Sequence, residues 1–288
     1  MLVSTQEIIT AARKNHYAIG CFLVYNLETA LGIARAAKAK QAPIIMAVSE
    51  STISYAGLKP ITHIVETIAK NEAVNVPIAL HLDHGKTFKS VVACIESGFS
   101  SVQIDASNMA LDENIRLTKE VVAYGHKQGV WVEGELGEMR GGHGESGEFK
   151  GEIPLVNPDE VKQFVEQTEV DLLAAAIGTV HGDYSNERVH FDLLEEILKI
   201  TKTPVVLHGA SGLPDEDIIN AVKSGICKVN FGTEIKKLFI DSVRGTLVTE
   251  KNITGVRELM GPTIEAITDL VSAKIDLLGS ARKASIQK

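Results

Sequence analysis

Eight short apolar runs, each followed by a longer amphipathic segment, constrain this chain more than any other feature of its sequence. The runs are YAIGCF (17–22), IIMAVS (44–49), IALHLD (78–83), SVQIDA (101–106), VWVEGEL (130–136), LLAAAIG (172–178), VVLHG (205–209) and CKVNFG (227–232). A strand with one face in water alternates strictly between apolar and polar residues, whereas parallel strands covered by helices read as nearly continuous apolar runs. Helix signals fill the gaps. Ser4 and Glu7 have the spacing of a capping box ahead of IITAAR. Asn26 precedes the alanine-rich LETALGIARAAKAK, and Asn157, Pro158 and Glu160 supply an N-cap, a first-turn proline and an early carboxylate for VKQFVEQ. Gly98, Gly129 and Gly225 fall where a helix should stop before the next strand. Eight strand–helix units predict an α/β chain folded as a (β/α)8 (TIM) barrel, a single domain over residues 1–288. A doubly wound sheet is the rival, but CFLVYN after the first run is not the glycine-rich turn such a sheet uses for a dinucleotide.

Composition narrows the partners. With 29 basic and 37 acidic residues the formal charge is −8, which argues against nucleic acid or an anionic membrane surface. It does not exclude a small anion, because a pocket is governed by local dipoles. No apolar stretch approaches the roughly 20 residues of a membrane span, and MLVSTQEIITAARKN lacks a signal-peptide core. Cys21, Cys94 and Cys227 are too few and scattered for a disulfide framework. A cytoplasmic location is expected. Residues 134–154, GELGEMRGGHGESGEFKGEIP, have no periodicity, and a loop of that length in a compact domain is functional or mobile; a mobile active-site loop is expected at about 137–153.

In a (β/α)8 barrel, chemistry collects where strands end and helices begin. Those ends carry Asp83 and His84, then Asp105, then Glu133 and Glu135, then His181 in GTVHG, His208, and finally Asn230. One strand histidine is most simply a core residue, but three on one rim fit a catalytic Zn²⁺ site with an open position. His81 is left as either an interior residue or a further ligand. His16, His63, His126 and His190 read as surface or capping residues. Asp83 reads equally as a partner that orients a histidine and as a general acid/base. The glycine-rich turns GASG (209–212) and Gly232-Thr233 each precede a helix, and together beside His208 they favour phosphate bound by backbone N–H groups.

Taken together, HLDHG (81–85), GTVHG (178–182), VLHGASG (206–212) and KVNFGTE (228–234) resemble the class II, metal-dependent ketose-bisphosphate aldolases, of fructose- or tagatose-bisphosphate type. The resemblance extends from YAIGCF and NLETA to the closing LLGSA. It implies a (β/α)8 barrel, a homodimer or homotetramer, and reversible aldol cleavage of a ketose 1,6-bisphosphate to dihydroxyacetone phosphate and glyceraldehyde 3-phosphate. By motif match it implies His84, His181 and His208 as zinc ligands and Asp83 as the acid/base at the C4 hydroxyl. Glu135, with Asp105 nearby, matches a second or resting metal position. Gly182, Gly209, Ser211, Asn230 and Thr233 would hold the triose phosphate. Ser49 and Arg257 match residues at the distal phosphate, Arg257 reaching across a subunit interface. Glu145 or Glu148 would be the loop acid, and a monovalent cation (Na⁺ or K⁺) would accompany the zinc.

Three departures from the family pattern stand out. Phe22 is followed by Leu23 where asparagine is common; Gly232 stands where fructose-bisphosphate members carry aspartate and tagatose-type members do not; and the loop GEMRGGHGESGEF lacks the usual glycine pair with an acidic cluster behind it. All three leave the motifs of the metal and triose-phosphate end intact and bear on what the distal half of the substrate is. The other readings considered are a related aldolase with a different distal acid, a barrel zinc hydrolase, and a non-catalytic assembly subunit.

Overall fold

The computed structural model describes residues 2–139, 146, 147 and 149–285. Eight parallel strands close into a barrel: β1 (Ile19–Leu23), β2 (Ile44–Ser49), β3 (Ile78–Gly85), β4 (Ser101–Ile104), β5 (Trp131–Leu136), β6 (Leu172–Ala175), β7 (Val205–Leu207) and β8 (Lys228–Phe231). Each pairs with its neighbour in sequence, and β8 closes on β1 with Ile19 opposite Lys228 and Phe22 opposite Phe231. All eight predicted runs are strands, most of them trimmed by a residue or more at their ends.

The helices are α1 (Thr5–Lys14), α2 (Leu27–Lys40), α3 (Glu50–Ala56), α4 (Leu58–Asn71), α5 (Phe88–Glu96), α6 (Leu111–Lys127), α7 (Pro158–Thr168), α8 (Phe191–Ile200), α9 (Asp215–Ser224), α10 (Thr233–Thr249) and α11 (Val256–Leu277). Their starts follow the cap residues. Asn26 forms a capping box with Thr29, and Asn157 accepts from the Asp159 N–H with Pro158 in the first turn. Ser4 does cap α1, but through the Gln6 N–H at 3.2 Å; the box expected with Glu7 does not form, and Glu7 is exposed. Gly98, Gly129 and Gly225 all take positive φ at helix ends. No helix among the described residues is long and apolar enough to cross a membrane.

Strand periodicity divides the core in two. On β3, Ile78, Leu80 and Leu82 face outward into the apolar layer beneath the helices, while Ala79, His81 and Asp83 face the barrel interior. Inside, Ile19, Ile45, Ala79, Leu172 and Val206 cluster with Ile8, Ile9 and Ala12 of α1. Helix α1 therefore closes the N-terminal mouth as an apolar plug, tied by Thr5 Oγ1 to Ser101 Oγ at 2.7 Å and by Arg13 to the Lys202 carbonyl at 3.0 Å. Higher in the barrel the interior becomes polar, with His81, Gln103, Glu133, Glu135 and Lys228 all buried.

Candidate functional site

The site begins with a break in strand geometry. Consecutive residues of a strand point to opposite faces, so Asp83 and His84 could not both serve one mouth on a regular strand. His84 has φ of 51°, in the left-handed region, and the pairing of β3 with β4 shifts register between Leu82 and Gly85. That conformation costs a non-glycine residue about 1–2 kcal/mol. It is held by the Gln103 side chain, whose Oε1 accepts from the His84 N–H at 2.8 Å. With the alternation broken, both side chains line the same mouth.

Three imidazoles converge there. The His84 ring centroid is 4.7 Å from that of His181 and 5.1 Å from that of His208. Each of the three offers a nitrogen, and these lie within 4.8 Å of one another. His84 Nδ1 is 2.9 Å from Asp105 Oδ2, and His208 Nε2 is 2.7 Å from Glu133 Oε1. In both rings one nitrogen is turned to a carboxylate, the kind of contact that orients histidine ligands around zinc. The donor set therefore fits a Zn²⁺ ion with an open coordination position. His84, Asp105 and Glu135 form a second group of the same compactness; Asp105 also binds the Lys86 ammonium.

Charge is concentrated below the imidazoles. Burial alone would lower the His84 pKa, but Asp83, Glu135 and Asp105 outweigh it and raise it to about 9. Burial raises the Asp83 carboxyl, yet the positive fields of His84, His208, His81 and Lys228 hold it below the usual carboxylate range. Glu135 is pushed up by burial. His81 is interior: it bonds to Ser101 Oγ at 2.8 Å, and burial with the Lys228 charge pushes it down to about 3. It belongs to neither metal-holding group.

Two adjoining hollows share Leu23, Asp83, His84 and His181 as lining. The inner one is completed by Gly182, His208, Gly209, Ser211, Asn230, Gly232 and Thr233. Its wall depends on Gly209, with φ of 65°, where a Cβ would sit 2.3 Å from the Val180 carbonyl oxygen. The loop carrying His181 is fastened by the buried Glu187 carboxylate, which accepts from the Val180 N–H at 3.1 Å. The larger outer cleft is lined by Ser49, Tyr25, Lys86, Asp105, Ser107 and Lys236 among others. Leu23 and Gly232, two of the departures noted in the sequence, face each other: a Cβ at Gly232 would lie 3.1 Å from Leu23 Cδ2.

Of the residues singled out in the sequence, His84, His181, His208, Asp83, Asp105, Glu135, Gly182, Gly209, Ser211, Asn230, Thr233 and Ser49 all meet around these hollows. Arg257 does not. It is exposed at the start of α11 and lines neither hollow. Glu145 and Glu148 lie outside the described residues. Sequence reading missed Gln103, Lys228, Glu187, Lys86 and Lys236. Lys228 did carry a signal, a cation two residues before Asn230 on one face of a buried strand.

The family model described as fructose-bisphosphate aldolase class-II matches residues 3–283. The fructose-bisphosphate aldolase of Geobacillus stearothermophilus is 39% identical over 287 residues, covering 99% of this chain and 99% of that one. That of Staphylococcus aureus is 39% identical over 285 residues, 98% of this chain and 99% of its own length. The crystal structure of the YdjI aldolase from Escherichia coli K12 matches with a TM-score of 0.87 at 31% identity, covering 99% of this chain and 100% of the other. With a barrel of the expected topology, a histidine-lined mouth and matches over nearly its whole length, the chain belongs to the class II fructose-bisphosphate aldolase family, a family of lyases.

Proposed function

We propose that this chain reversibly cleaves a ketose 1,6-bisphosphate, fructose 1,6-bisphosphate first and tagatose 1,6-bisphosphate second, to dihydroxyacetone phosphate and glyceraldehyde 3-phosphate. The observation that carries the reading is the placing of Asp83 and the imidazoles of His84 and His181 at the junction of a small inner hollow and a wide outer cleft. His84, His181 and His208 would hold Zn²⁺, with Glu135 and Asp105 at a second position. When bound, the ion supplies Lewis-acid polarisation of the ketose carbonyl and stabilises the negative charge left at C3.

The chain's own groups do the rest. The inner hollow takes the triose-phosphate half: Gly182, Gly209, Ser211, Asn230 and Thr233 line it, and the N-terminus of α10 at Thr233 would offer its N–H dipoles to a phosphate there. Asn230 Nδ2 donates to Asp83 Oδ1 at 3.2 Å, fixing one carboxylate oxygen and leaving the other to take the C4 hydroxyl proton as the C3–C4 bond breaks. The low pKa of Asp83 keeps it ionised at neutral pH, as a base must be. In the outer cleft Ser49, Lys86 and Lys236 face the distal anion. Arg257 would join them only from a neighbouring subunit of a homo-oligomer. A loop acid, Glu145 or Glu148, would return a proton to C3, and Na⁺ or K⁺ would assist phosphate binding.

The test is cleavage of fructose and tagatose 1,6-bisphosphates before and after chelation. Turnover should vanish with chelator, return with Zn²⁺, and leave no borohydride-trapped Schiff base. Metal-independent cleavage would refute the reading. His84→Ala should lose bound metal.

A further inference from the structure

We propose that Lys228, a residue that cannot touch substrate, is the positioning residue that aims Asn230 at Asp83 and so readies the base. The inference rests on the role given to Asp83 above. Lys228 is wholly buried on β8, beneath the mouth. Its Nζ donates to Glu133 Oε2 at 2.8 Å and to Asn230 Oδ1 at 2.8 Å.

An ammonium only donates, so the atom of the Asn230 amide facing it must be the carbonyl oxygen. The amide is thereby oriented: its NH₂ group is turned to the far side, where Nδ2 meets Asp83 Oδ1 at 3.2 Å. Rotating the amide by half a turn would set NH₂ against NH₃⁺ and present an oxygen to the Asp83 carboxylate, so both contacts with charged groups become repulsive; the third neighbour, His208 Nε2 at 3.2 Å from Nδ2, already gives its proton to Glu133 and does not offset them. The same ammonium holds Glu133, whose other oxygen accepts from His208 Nε2 at 2.7 Å. One buried cation thus sets the direction of two side chains, one against the base and one against a metal ligand. With a neutral side chain at 228 the amide loses the contact that selects its orientation.

Lys228→Met alone leaves the Glu133 charge buried without its cation, which is strongly destabilising, so the paired change Lys228→Met/Glu133→Gln removes both charges together. The Glu133→Gln single variant, in which the glutamine Oε1 and Asn230 Oδ1 still accept from the Lys228 ammonium, serves as its reference once calorimetry shows it folded. On the zinc-loaded chain with fructose 1,6-bisphosphate, adding Lys228→Met to Glu133→Gln should lower kcat about tenfold, the worth of a hydrogen bond to a charged group, with KM changed less than threefold. A general loosening of the barrel would move both. The decisive step is Asn230→Ala in each background. Its kcat penalty in the Glu133→Gln chain should shrink to less than about twofold once Lys228 is gone, because the amide is then no longer aimed. Undiminished penalties, or a wild-type kcat in the paired variant, would overturn the proposal.

A readout independent of turnover follows the Asn230 side-chain amide by NMR, identified by its loss in Asn230→Ala. Its ¹H–¹⁵N pair should shift when Lys228→Met is added to the Glu133→Gln chain; an unmoved pair would overturn the proposal even if the unsubstituted chain cleaved no ketose bisphosphate. Absence of cleavage by the unsubstituted chain would instead strike the functional reading.

Discussion

The two ends of the barrel interior are built from the same eight strands and solve opposite problems. At the N-terminal end, Ile19, Ile45, Ala79, Leu172 and Val206 close against Ile8, Ile9 and Ala12 of α1, and the buried polar tie of Thr5 to Ser101 is uncharged. At the C-terminal end the interior holds Asp83, Glu133, Glu135, His208 and Lys228 out of water at nearly full burial. The lower end gains from burial at roughly 25 cal/mol per Å² of apolar surface. The upper end gives that gain up, and adds a left-handed backbone at His84, to converge charged groups on one point. Stability and chemistry are thereby separated along the barrel axis, and substitutions at the two ends should have different signatures.

The largest expected effect lies at the mouth. Asp83→Ala should lower kcat by about 10²–10⁴-fold while the chain keeps its metal and its melting temperature. Steady-state kinetics beside metal analysis and calorimetry checks this; normal turnover would remove Asp83 from the mechanism. The counterpart at the lower end is Ile9→Ala, which should destabilise the fold by about 2–5 kcal/mol in denaturant titration and leave kcat unchanged. If kcat fell in step with stability, the two ends would not be separable.

The next prediction concerns pH. In the metal-free chain His84 titrates at about 9, so at pH 7 it carries a proton that a metal must displace. The neutral ring is the ligand, so apparent Zn²⁺ affinity should rise about tenfold per pH unit from 7 to 9 and then level off. Calorimetry in two buffers of different protonation enthalpy should find about one proton released per ion at pH 7; no release would show that the carboxylates do not charge His84. Smaller still is Ser4→Ala at the start of the plug helix. It should cost about 0.5–2 kcal/mol through the lost Gln6 N–H bond, with no change in metal affinity.

Much of the site was legible before any coordinates. Parallel strands in a closed barrel put all their C-terminal ends on one rim, so identifying the apolar runs was enough to gather His84, His181 and His208 in space. The same logic brought Asp105, Glu135 and Asn230 to that rim. It says nothing of Arg257, which came from the family resemblance as a residue reaching across a subunit interface; a helix-borne residue far along the chain has no place dictated by strand order. It could not assign Glu133 or Lys228 a role either: both were seen on strands, but their partners lie across the barrel.

What the sequence determined by itself is therefore periodic and local: eight strands, their helices, the caps at Asn26 and Asn157, the rim on which the histidines fall, and a family pattern confirmed along the chain. What only the tertiary structure decided is which interior residues meet. Lys228 bonds Glu133 across 95 positions and Asn230 bonds Asp83 across 147, contacts set by the closure and stagger of the barrel. The strand pattern says which face a side chain is on. Only the closed barrel brings that face to within hydrogen-bond distance of another, and so decides which charges share a proton, a hydrogen bond or a metal.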